Sequence, residues 1–93
     1  MVVGRLEIEL HLPGSSSLKQ KRVVVRSLID RLRNRFNVAV SEVDHHDLWQ
    51  RAALGIVTVS NDAKVVHSVL SHAQHFVERE PRAVVVDVRV ETS

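Results

Sequence analysis

The chain has 93 residues, 44% of them hydrophobic, 26% charged and 3% aromatic. That length holds one domain, residues 1–93, with a small core that must be built from Val, Leu, Ile and Ala. The absence of Cys excludes disulfides, thiolate nucleophiles and cysteine-ligated zinc, and no apolar run approaches the ~18 residues of a membrane span.

The chain opens directly on a strand pattern and not on the apolar stretch of a signal peptide, so the expectation is a cytoplasmic protein with no membrane segment. Net charge is only +2, but it is unevenly distributed. Lys19, Lys21, Arg22, Arg26, Arg31, Arg33 and Arg35 share a segment with a single acid, Asp30, a local charge of +6 that leaves −4 elsewhere. Such polarity suits an anionic partner, although Arg-rich helices also occur as plain solvated faces.

Residues 2–12 alternate. Leu6, Ile8, Leu10 and Leu12 form one face and Arg5, Glu7, Glu9 and His11 the other, a strand with one buried and one wet side. Pro13-Gly14 breaks it. Ser17 and Gln20 have the S-x-x-Q spacing of a capping box and predict a helix start. The helix runs to about Phe36, with Leu18, Val25, Leu28, Ile29, Leu32 and Phe36 on one stripe and Lys19, Arg22, Arg26 and Arg33 along a flank. Val23 and Val24 fall off the stripe.

Val38 and Val40 begin a second strand, and Leu54 to Val59 form a third. Their connection is too short for a parallel crossover, so they form a hairpin with its tip near His45–Leu48. Ala53 and Gly55 are small enough for a helix or another backbone to approach closely. Ser60, Asn61 and Asp62 cap a second helix, whose apolar face is Val65, Val66, Val69, Leu70, Ala73, Phe76 and Val77. After Pro81, Val84, Val86, Val88 and Val90 alternate with Val85, Asp87, Arg89 and Glu91 in a last strand. The order βαββαβ, with right-handed crossovers, predicts an α+β ferredoxin-like sandwich: a four-stranded antiparallel sheet in the order 4-1-3-2 with both helices on one face.

SLKQKR, FNVAVSEVDHHDLWQR and LGIVTVSND together resemble the YlxP-like family of small bacterial proteins of unassigned function. The family motif falls on Asp44, Asp47, Trp49, Gln50 and Arg51. The resemblance covers nearly the whole chain and implies the same ferredoxin-like fold. Genes of this family lie near translation and ribosome-maturation genes in several bacteria, which implies an RNA-related setting.

The open sheet face carries no aromatic on the first or last strand, which argues against base stacking there and for cross-strand ion pairs. Lys19, Arg22, Arg26 and Arg33 are the candidate contacts to a nucleic-acid backbone; the plain alternative is a solvated face held by pairs such as Arg26 with Asp30. Pro13–Lys19 has the residues of an anion-binding helix start or of simple capping, and lacks the G-x-x-x-x-G-K of a P-loop.

Asp44-His45-His46-Asp47, and His72 with His75, are the only metal-like groupings. Neighbouring positions on a strand face opposite ways, so turn-forming Asp and solvated His explain the first; no metal or cofactor is expected. No nucleophile stands in an elbow, so no catalytic residue is assigned.

Trp49 and Arg51, with Val23 and Val24, are candidates for a protein interface, and an exposed edge strand adds another route to self-association. Trp49 alternatively caps the core. Three readings follow, in order of preference: a non-enzymatic RNA- or ribosome-associated protein using the basic helix, a homo-oligomeric interaction module using the 42–52 hairpin and Trp49, and last a metal- or anion-dependent enzyme.

Overall fold

A computed structural model describes residues 1–93. Strand β1 (Val2–His11), helix α1 (Leu18–Arg35), strands β2 (Ala39–Asp44) and β3 (Arg51–Ser60), helix α2 (Ala63–Glu78) and strand β4 (Val84–Thr92) follow in the expected order. All strand pairs are antiparallel and the sheet order is β2-β3-β1-β4. One cluster of buried side chains unites the sheet with both helices: Leu6, Ile8, Leu10 and Leu12 before α1, Val25, Leu28 and Leu32 on it, Leu54 and Ile56 on β3, and Val66, Leu70, Ala73 and Val77 on α2. Each fully buried Leu or Ile contributes about 2 kcal/mol of transfer free energy. No helix is long and apolar enough to cross a membrane.

Several local expectations need correction. Val24 is buried, whereas Val23 is 59% exposed, so the core stripe of α1 runs through positions 21, 24, 28 and 32. Val65 at the start of α2 is exposed. In the cap of α1, the Ser17 hydroxyl accepts from the Gln20 amide, but the Gln20 side chain accepts from the amide and hydroxyl of Ser16 instead of closing back on Ser17. No ion pair joins Arg26 to Asp30. The glycine that lets a helix approach is Gly4, where a Cβ would meet Val66 and lie 2.8 Å from Leu70; Gly55 faces the open side of the sheet, beneath Val43.

The last strand departs from simple alternation. Glu9 pairs with Asp87 and Leu10 with Val85, so Val86 is an extra, bulged residue. Val85 therefore turns to the helix side, where it packs against the core with Val88. The expected cross-strand ion pairs do form on the open face, Arg89 to Glu7 at 2.9 Å and Arg5 to Glu91 at 3.8 Å.

Glu80, just past α2, ties α1 to the turn that leads into β4. Its buried carboxylate accepts from Arg82 at 2.9 Å through Nε and Nη2, from the Arg82 amide at 3.0 Å, and from Arg31 of α1 at 2.5 Å. The Arg82 bonds outweigh the opposing effect of burial and hold the Glu80 carboxyl down at about 2, while Arg82 is raised in turn.

Candidate functional site

The hairpin between β2 and β3 is held by a buried cation. Lys21 is fully buried, and its ammonium lies 3.0 Å from a Glu42 carboxylate oxygen and 2.8, 3.2 and 3.3 Å from the carbonyls of His45, His46 and Arg51. An ammonium has three hydrogens and no acceptor capacity, so four oxygens share them, and the turn is wrapped around the side chain. The charge at this end of the α1 stripe is thereby met by one carboxylate and three backbone carbonyls. Lys21 escapes detection in the sequence because it sits among six other basic residues. The available signal was its spacing, three and four residues before Val24 and Val25 on the core side of the helix.

The motif residues converge on the same hairpin. Arg51 donates to Glu9 of β1 at 2.6 Å, and His45 shares that carboxylate at 3.1 Å. The Arg51 guanidinium holds the Glu9 carboxyl below its usual range against the effect of burial, and His45 acts in the same sense. His45 has a left-handed backbone, φ 64°, and its amide is met by the Asp44 carboxylate at 2.7 Å. The Gln50 side-chain amide donates to the carbonyls of Pro13 and Ser15, and the Gln50 backbone carbonyl accepts from the Leu12 backbone amide. Asp44, Gln50 and Arg51 thus serve the hairpin's shape. Asp47 and Trp49 are exposed at its tip and have no such role.

Trp49 is 55% exposed and beside Leu48, also exposed, which removes the reading that it caps the core. Of the other interface candidates, Val23 is exposed, Val24 is buried, and Arg51 is occupied by Glu9. The β2 edge is not free either. Arg33 donates to the Val40 carbonyl at 2.9 Å and the His46 ring reaches the Glu42 carbonyl at 3.1 Å, so side chains occupy backbone groups that a new strand would use.

No group of three His, Asp or Glu side chains is arranged to hold a metal. His72 and His75 line a cleft with Phe36 and Phe76, while His45 faces Glu9. The helix start offers little to an anion, because Ser16 is engaged by Gln20 and the Ser15 hydroxyl by the Ser17 carbonyl.

The basic segment divides sharply by use. Lys21 is under the hairpin, and Arg31 is bound to Glu80 and stacked 5.5 Å from the Phe76 ring centroid. Arg35 lies over Phe36 and Phe76, themselves in edge-to-face contact at 5.9 Å. Lys19, Arg22 and Arg26 remain exposed with no carboxylate within 4 Å. Arg22, Arg26 and Arg33 line a groove of about 420 Å³ between α1 and β2 together with Val25, Ile29 and the acids Asp30 and Glu42.

Fold and surface define a ferredoxin-like α+β sandwich with a strapped hairpin and a row of free cations on its first helix. Three solved structures share the fold. They are the de novo designed ferredoxin-fold protein LFR1 1 (TM-score 0.58, 14% identity, covering 100% of this chain and 88% of that one), the designed protein Foldit4 (TM-score 0.53, 13% identity, 99% and 94%) and acylphosphatase from Bacillus subtilis (TM-score 0.51, 17% identity, 100% and 86%).

The chain belongs to the family described as Protein of unknown function (DUF503), whose model matches residues 3–90. Its relative "Uncharacterized protein YlxP" of Bacillus subtilis (strain 168) is 34% identical over 80 residues, 86% of this chain and 87% of that protein.

Proposed function

We propose that this is a non-enzymatic cytoplasmic protein that binds RNA or a ribosomal particle through helix α1. One observation supports it above the rest: acids elsewhere neutralise Arg5, Arg31, Arg51, Arg82 and Arg89, while Lys19, Arg22 and Arg26 stand exposed on one helical flank without a carboxylate partner. Their spacing of three and four residues stacks them along the helix, and Arg33 extends the row while resting on an uncharged carbonyl. Such a row meets successive phosphates and reads no base, so binding is governed by counterion release.

The test is binding to total RNA and to ribosomal particles over a salt series. Four cations on single-stranded RNA give a slope of log affinity against log salt near −3. Arg22→Glu with Arg26→Glu should abolish binding at moderate salt. No binding by the unaltered protein at low salt refutes the reading.

The exposed Leu48–Trp49 pair favours a second reading, a protein-contact module centred on the hairpin. Under it, Trp49→Ala removes partner or self-association and leaves RNA binding unchanged.

A further inference from the structure

The two edges of the sheet are treated differently. On β2, Arg33 and His46 occupy backbone carbonyls, as described above. On β4 nothing comparable exists. The Val3 and Ser93 amides and carbonyls bond to each other, which fixes the phase of the ladder: Ser93, Glu91 and Arg89 turn their backbone groups toward β1. Val88, Val90 and Thr92 must then point theirs outward, and no strand or side chain meets them. Val90 also lies on the helix side of the sheet, opposite Leu6, which is 1% exposed; yet Val90 itself is 53% exposed, although the His67 ring of α2 reaches the hydroxyl of Thr92, two residues further along the strand, at 3.2 Å.

We infer that β4 is the docking edge for a second copy of this chain, pairing antiparallel about a two-fold axis at Val90 to give a continuous eight-stranded sheet. The residue pattern is self-complementary about that point. Val90 faces its own copy, Val88 faces Thr92, and Arg89 faces Glu91 twice. All the outward N–H and C=O groups of Val88, Val90 and Thr92 find partners, and the bulge at Val86 lies outside the paired stretch. Arg89 and Glu91 would occupy the closely spaced, non-hydrogen-bonded positions, where opposite charges support pairing and like charges oppose it. No side chain hydrogen-bonds the outward backbone groups of Val88, Val90 and Thr92, and the charges that this β-branched edge carries beside them, Arg89 and Glu91, are matched by an antiparallel copy, which leaves the edge open to strand addition by it. An unrelated extended peptide would find the same backbone groups, but only a second copy supplies both charge matches at once.

Cysteine trapping tests the geometry, because the chain has no Cys of its own. Two residues facing each other across a hydrogen-bonded antiparallel pair have Cα atoms about 5.5 Å apart, within disulfide reach. Under mild oxidation Val90→Cys should form a covalent dimer at least about tenfold faster than Val84→Cys, an equally exposed position whose backbone turns inward.

Sedimentation of the unaltered protein should show a monomer–dimer equilibrium. Arg89→Glu should weaken it about tenfold, since two like-charge contacts replace two attractive ones. Arg89→Glu with Glu91→Arg should restore it, although that double variant still lacks both within-chain pairs, to Glu7 and Arg5. A monomer at all concentrations, or equal trapping at positions 84 and 90, overturns the proposal. So does failure of the double swap to recover dimerisation. None of these readouts depends on RNA binding by α1.

Discussion

Replacing Lys21 by Met keeps the aliphatic stem of the side chain and removes only its charged end. The Glu42 carboxylate, 15% exposed, then loses its cation, and the carbonyls of His45, His46 and Arg51 lose their common donor. Breaking one partner of a buried pair costs about 3–5 kcal/mol. The exposed turn can let water reach some of the freed oxygens, which places this case near the lower end, about 3 kcal/mol. For a domain of this size that is a fall in Tm of roughly 12–24 °C. The measurement is urea unfolding of wild type, Lys21→Met, Glu42→Leu and the double variant. The double variant should be more stable than Lys21→Met, because it no longer strands a carboxylate. A loss below about 1 kcal/mol in Lys21→Met would show that the hairpin does not depend on the buried ammonium.

Two other predictions concern the scaffold. Glu80 titrates at about 2 in the fold against 4.5 when free, a depressed acid, so its contribution is complete above pH 4.5 and is lost as pH falls toward 2. A shift of that size corresponds to about 3 kcal/mol, so Glu80→Gln should be less stable than wild type at neutral pH, with the gap closing across that acid window in denaturation series. Gly4→Ala should destabilise the fold by about 1–3 kcal/mol, because the added methyl meets Val66 and Leu70 of α2, and thermal unfolding would register it.

The fold was legible because its long elements announce themselves by period. The β1 alternation and the α2 stripe correspond to real buried faces, and the turn chemistry at Pro13-Gly14 and Ser60–Asp62 marks real boundaries. The site was less legible for specific reasons. Lys21 is a charged residue in a core position, and what makes that position tolerable, Glu42 and three turn carbonyls, comes from residues more than twenty positions away. Glu9, Arg51 and His45 likewise meet only when β1, β3 and the turn are assembled. The β4 bulge leaves no trace in a run of four-valine alternation, since the extra residue is itself a valine. The basic row was visible, but how much of it is free depends on contacts to Glu80 and Phe76 that no local pattern contains.

The pairing of Val3 with Ser93 sets the order in which the molecule can assemble. The β2–β3 hairpin and both helices close short loops, whereas the β1–β4 ladder joins the two ends of the chain and closes almost its whole length at once. Contacts of that sequence separation form slowly, because most of the chain must be ordered before they are rewarded. β4 is therefore the strand that docks at the greatest loop-closure cost. Until it does, the backbone groups of Val3, Arg5, Glu7 and Glu9 face water along the middle of the sheet. A nascent or partly unfolded chain thus carries two vacant strand edges that fit each other, and crowded refolding favours exchange of β4 between copies over aggregation by the guarded β2 side.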